Sequence, residues 1–187
     1  MWRTHSSVLR RDSSRRRADI DKSVDAAPKS ACAKRRLQPR VIPCRLYGMK
    51  SRIVRTRSEE ETVALGETLA AELPAKVVVL LIGNLGAGKT TLAKGIVQGL
   101  GAAQADEVSS PTFTLIHEYG PRVYHVDLYR LDRAEQVATI GLDELFERAA
   151  VVLVEWGERF PELMPEERVE ITLRAVGEDE REIVIRR

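Results

Sequence analysis

Beyond position 44 the sequence has no cysteine; its two, Cys32 and Cys44, both lie within the first 50 residues. The remainder therefore holds neither a disulfide framework nor a zinc-thiolate site. Such a composition suits the cytosol, and a cytoplasmic location is expected. No apolar run approaches the roughly 20 residues that cross a bilayer, and no apolar core of a signal peptide is present, so no membrane association is expected. The histidines are few, and the spacing of His117 and His125 does not resemble a metal site.

Acidic residues are scarce at the start and abundant afterwards. Residues 1–50 carry fourteen Lys and Arg against four Asp and no Glu, whereas residues 51–187 carry sixteen basic and twenty-four acidic residues. The small overall charge of +2 thus conceals two unlike segments. Residues 1–48 mix arginine runs (Arg15-Arg16-Arg17, Arg35-Arg36) with Ser, Pro and Ala and show no apolar period. A segment of this kind buries too little surface to offset its ordering entropy and reads as a disordered extension. The preferred account is that translation begins at Met49. A basic arm for nucleic acid or an anionic surface is a second account. A transit peptide is a third, although four Asp count against it. Residues 49–187 form one domain, whose acidity suits it poorly to gripping a polyanion unaided.

Within that domain, Ser58 and Glu61 have capping-box spacing ahead of an apolar stripe, which predicts a helix over 59–73. Residues 76–82 (KVVVLLI) read as a strand buried on both faces. A glycine-rich loop follows, then a helix from about Lys89 to Leu100 closed by Gly101. Residues 112–119 and 122–128 flank Gly120-Pro121 as a hairpin, 132–147 as two short helices broken near Gly141, and 149–155 as a second apolar strand. Residues 169–176 and 181–186 form a terminal hairpin around Gly177. Strands alternating with helices imply a three-layer α/β P-loop NTPase fold, with a mostly parallel central sheet and antiparallel hairpins.

The loop Gly83-Asn84-Leu85-Gly86-Ala87-Gly88-Lys89-Thr90 matches G-x-x-x-x-G-K-[ST] between a buried strand and a helix, the context that gives the pattern meaning. Its glycines let successive N–H groups converge on an anion, and the following helix adds its positive N-terminal dipole. The loop residues Leu85, Gly86, Ala87 and Gly88 would wrap the phosphates of ATP. Lys89 would reach the β- and γ-phosphates, and Thr90 would offer its hydroxyl to Mg²⁺. Thr91 would border the α-phosphate or pack below the loop. A turn serving packing alone would not need a lysine followed by a threonine.

Enzymes of this kind add a carboxylate from the end of a neighbouring buried strand. Glu155, after Val151-Val152-Leu153-Val154, and Asp127, after Val123-Tyr124-His125-Val126, both qualify. The residues alone leave open which acid holds metal and which orients water. Trp156 reads as a packing residue, with contact to nucleotide or partner as the alternative. No Asn-Lys-x-Asp for guanine and no Leu-Ser-Gly-Gly-Gln is present, so adenine is the expected base. A small-molecule kinase is disfavoured because Arg122, Arg130, Arg133 and Arg148 form no evident phosphate-screening lid.

The loop through Leu92, Ser110-Pro111-Thr112-Phe113-Thr114-Leu115, His125-x-Asp127-Leu128-Tyr129-Arg130 and Glu155-Trp156 occur in this order and spacing. Together they closely resemble the bacterial TsaE (YjeE) family over about residues 50–187. That resemblance implies an ATPase of tRNA threonylcarbamoyladenosine biosynthesis. It would act at adenosine 37 with TsaD-like and TsaB-like partners, contacting tRNA through the complex. It also implies Thr90 and Glu155 as Mg²⁺ ligands, Asp127 as an essential acid near the γ-phosphate, and Glu59 and Arg181 as further nucleotide contacts.

Overall fold

In the computed structural model, the backbone is described for residues 40–46 and 49–187, and side chains from Ser51 onward. The first strand, β1 (Arg40–Leu46), pairs antiparallel with β2 (Met49–Thr56). This corrects the expectation of an unstructured extension over 40–46; residues 1–39 and 47–48 lie outside the described residues. The β-branched pair Val41-Ile42 favours a strand. Pro43 is compatible with one because β1 is the outermost strand, where a missing N–H is tolerated. Neither β1 nor β2 stands out in a sequence so rich in arginine.

Helix α1 (Glu59–Ala70) begins where Ser58 Oγ accepts the Glu61 amide at 3.1 Å, while Glu61 reaches back to the Arg57 amide at 2.8 Å. The aliphatic run forms β3 (Val77–Ile82) and leads through the glycine loop into α2 (Lys89–Gly99). Then come β4 (Ile116–Tyr119) and β5 (Val123–Asp127), the short helices α3 (Ala134–Ala138) and α4 (Leu142–Glu147), and β6 (Val151–Glu155). The hairpin β7 (Val169–Ala175) and β8 (Arg181–Arg186) ends the chain.

Among the described residues, eight strands join one mixed sheet in the order β1-β2-β8-β7-β3-β6-β5-β4. The pairings of β3 with β7, β3 with β6 and β5 with β6 are parallel, and the other four are antiparallel. The expected parallel sheet is therefore only the centre of a wider mixed one. Both expected hairpins are present, and β1 and β2 extend the sheet beyond the second.

Period-two alternation divides the core into two layers. Val79 and Leu81 of β3 pack with Leu153, Ile171 and Leu173 beneath α1 and α2, while Val78 and Leu80 pack with Val126, Val152 and Val154 beneath α3 and α4. Helices α1 and α2 touch closely: a Cβ on Gly95 would collide with the Val63 carbonyl oxygen. The same alternation sends the odd-numbered residues of β5 and β6 toward the α1/α2 face. His125, Asp127 and Glu155 therefore share a side with the start of α2. Strands β3, β6 and β5 are adjacent and parallel, so their carboxyl ends open on one crevice, the usual ligand position of such sheets.

Candidate functional site

The loop between β3 and α2 turns through left-handed backbone at Gly86 (φ 77°) and Gly88 (φ 97°), conformations costly for residues with a Cβ. Gly88 caps α2 without a side-chain bond, so the first-turn amides of this 11-residue helix are left without intrahelical acceptors. A cleft of about 380 Å³ lies over the loop. Lys89 is only 4% exposed, and its amine donates to the Gly83 and Asn84 carbonyls at 2.7 and 3.1 Å. It also sits 4.0 Å from the centre of the Trp156 ring. Burial pushes the Lys89 pKa down, against the opposing pull of Glu155, Glu158 and Asp127. The lysine is thus folded back on its own loop, in a weakly hydrated place where an anion's charge would be felt strongly.

Across the cleft, the Thr90 hydroxyl donates to Glu155 Oε1 at 2.8 Å. Asp127 Oδ2 accepts from the Ser110 and Thr112 hydroxyls at 2.7 and 2.6 Å, and its Oδ1 accepts from the Tyr129 amide at 2.9 Å. The two acids lie side by side because Asp127 and Glu155 are register partners of β5 and β6. The structure brings together Lys89, Thr90, Asp127 and Glu155 with loop residues Leu85, Gly86, Ala87 and Gly88, and Thr91 and Arg181 border the same cleft. Leu85 itself is 76% exposed at the loop tip. Glu59 lies instead in a neighbouring recess of about 120 Å³ shared with Thr91, Gly88 and Arg181, and it pairs with Lys94 at 3.2 Å.

No cluster of three or more His, Cys, Asp or Glu side chains able to hold a metal occurs among the described residues. A Thr hydroxyl and one or two carboxylates nevertheless fit Mg²⁺, a hard cation that takes its remaining ligands from phosphates and water. The cluster of Lys89, converging amides and oxygen donors therefore fits a magnesium-bound nucleoside polyphosphate.

Four features of the site were not assigned from sequence. Ser110 and Thr112 hold Asp127, which gives the Ser110–Leu115 motif a place in the cleft wall. Trp156 adopts φ 64°, a strained backbone for an aromatic residue, and this lays its indole against Lys89. His125, wholly buried, bonds Glu155. Its position two residues before Asp127 on a strand was the available signal, since that spacing places both on one face. Glu158 follows in the next turn, where the Gly83 amide and the Lys89 ammonium favour its charged form.

Burial pushes the Glu158 carboxyl above the ordinary carboxylate range. A raised folded-state value means a stability contribution fully present below the unfolded value, about 4.3, and lost as pH rises through the folded value. Glu158→Gln keeps the size and polarity of the side chain and removes the charge. Its melting temperature should exceed that of the wild type at pH 8, and the gain should shrink as the pH approaches 5. A gain that does not change with pH would contradict this origin.

Residues 56–183 match the family model described as threonylcarbamoyl adenosine biosynthesis protein TsaE. The TsaE protein of Bacillus subtilis is 44% identical over 138 residues, covering 72% of this chain and 85% of the relative. That of Treponema pallidum is 40% identical over 132 residues, covering 70% and 96%. The crystal structure of Bacillus subtilis YdiB superposes with a TM-score of 0.61 at 38% identity, over 75% of this chain and 88% of that one.

Proposed function

This chain belongs to the TsaE family of threonylcarbamoyl adenosine biosynthesis proteins, and from that premise we propose that it is the ATP-binding and ATP-hydrolysing subunit of the machinery that modifies adenosine 37 of tRNA. It works in the cytoplasm with TsaD-like and TsaB-like proteins and meets tRNA through that complex. The observation that carries the reading is the loop that brings the Lys89 amine and the Glu155-bound Thr90 hydroxyl to a cleft shared with Asp127. The glycine loop and strand-to-helix context support a P-loop NTPase fold. Among the described residues, no helix is long and apolar enough to cross a membrane.

In this reading the amides of residues 85–91 wrap the phosphates, and Lys89 exchanges the Gly83 and Asn84 carbonyls for β- and γ-phosphate oxygens. Thr90 and Glu155 would hold Mg²⁺; the Thr90 oxygen keeps a lone pair for the metal while donating its proton to Glu155 Oε1. The metal supplies electrostatic stabilisation of the transferring phosphoryl group. Asp127 would lie near the γ-phosphate and accept a hydrogen bond from the attacking water, its carboxylate steadied by Ser110, Thr112 and the Tyr129 amide. Glu59 and Arg181 would add further nucleotide contacts from the neighbouring recess.

P-loop switches often hydrolyse slowly until a partner completes the transition-state site. Arg181, which lines the cleft, is engaged with carbonyls of its own hairpin, and Arg159 and Arg130, near Tyr129, are held by Asp132 and the Tyr129 carbonyl and by the Phe113 ring. The isolated protein should therefore be a slow ATPase, accelerated at least tenfold when TsaD- and TsaB-like partners are added together. Steady-state phosphate release with and without the partners tests this. A fast ATPase indifferent to them, or a phosphorylated small-molecule product, would reject the reading.

A further inference from the structure

His125 is 0% exposed, in the layer between the sheet and α2. Its Nε2 lies 2.9 Å from Glu155 Oε1, the same oxygen that accepts the Thr90 hydroxyl. A carboxylate only accepts, so Nε2 carries the hydrogen of that bond. The other ring nitrogen, Nδ1, is buried and has no hydrogen-bond partner. A buried polar atom without a partner is expensive. For packing alone, an aliphatic side chain like Val123 and Leu153 on the same face would serve the layer better. What the imidazole adds is one directed donor, aimed at Glu155. With Oε1 held by two donors, Oε2 accepts no hydrogen bond among the described residues.

We propose that His125 is a positioning residue for the magnesium site. Its Nε2–H and the Thr90 hydroxyl pin Oε1 from two sides and fix the rotation of the carboxylate. Oε2 is thereby left for the metal or for a water bound to it. The position of His125 explains why the interaction can be made. It lies two residues before Asp127 on β5, on the same face, and β5 is the immediate neighbour of the strand that ends in Glu155. Groups that orient a metal ligand from behind often alter metal affinity by about 10- to 100-fold when removed. The inference rests on the magnesium-nucleotide reading of the cleft.

Two variants of similar polarity but different reach test it. In His125→Gln the side-chain amide extends to about the place of Nε2 and can still donate to Glu155. In His125→Asn it stops near the place of Nδ1 and falls short. Binding of a fluorescent ATP analogue to the full chain is titrated with MgCl2, and again in EDTA, with melting temperatures measured in parallel. His125→Asn should need about tenfold more Mg²⁺ for half-maximal enhancement of binding, while its affinity in EDTA stays at the wild-type value. His125→Gln should need close to the wild-type concentration. The inference is overturned if Asn and Gln have the same Mg²⁺ requirement. It is equally overturned if both lose affinity alike with and without the metal, as a merely structural residue would. Should the wild-type chain fail to bind the analogue at all, the nucleotide reading itself falls, a result distinct from either of these.

Discussion

Lys89→Ala should reduce ATP hydrolysis by roughly 10²–10³-fold while leaving the fold intact. The expected size is that of losing one preorganised group opposite developing charge in a weakly hydrated site. Lys89 qualifies because its amine is nearly fully buried, and the acids beside it stand on the far wall of the same cleft. The fold should survive because the amine contributes no apolar packing at its tip. Its present partners are two loop carbonyls and the Trp156 ring. Removing a cation whose charged form is disfavoured by burial also relieves a cost. Circular dichroism and melting temperature should therefore stay close to wild type. Hydrolysis at the wild-type rate in Lys89→Ala would dismiss the loop as a phosphate site.

The second large effect separates the two acids. In Glu155→Gln the amide oxygen can still accept from Thr90 and His125, but the amide NH₂ replaces the oxygen that accepts no bond. Metal-dependent nucleotide binding should weaken by about tenfold or more, and binding without Mg²⁺ should not change. In Asp127→Asn the Thr90–Glu155 pair is untouched, so Mg-ATP should bind nearly as in the wild type. Turnover should fall by roughly 10²-fold or more, because a neutral amide accepts poorly from the attacking water. Equilibrium binding with and without Mg²⁺, set beside single-turnover hydrolysis, distinguishes the two patterns. The reverse assignment would exchange the roles of the residues.

The parts of this site legible in the sequence are those encoded locally. Gly83 to Thr90 form one continuous motif, and the neighbouring run of aliphatic residues marks its strand, so loop and helix could be placed without a structure. Asp127 and Glu155 could be nominated because each ends an apolar strand. Their adjacency could not, because it depends on β6 inserting between β3 and β5, a long-range choice with no local signature. The same holds for His125. Alone it reads as a packed polar residue, and only the parallel register of β5 and β6 reveals the carboxylate it serves. Ser110 and Thr112 were recognised as part of a motif, yet their role emerges only where the segment crosses back to Asp127. The strand Arg40–Leu46 was obscured by composition: arginines and a proline hide a β-branched pair whose partner is the next segment of chain. Trp156 illustrates the limit further, since its left-handed backbone runs against the preference of its residue type.

The central claim is that ATP turnover at this loop serves threonylcarbamoyladenosine formation in tRNA. Its most direct test is nucleoside mass spectrometry of tRNA from cells depleted of this protein and supplied with either the wild-type chain or Lys89→Ala. The account predicts that threonylcarbamoyladenosine falls on depletion, returns with the wild-type chain and stays low with Lys89→Ala, while other modified nucleosides keep their levels. Normal threonylcarbamoyladenosine after depletion, or full restoration by Lys89→Ala, would contradict it.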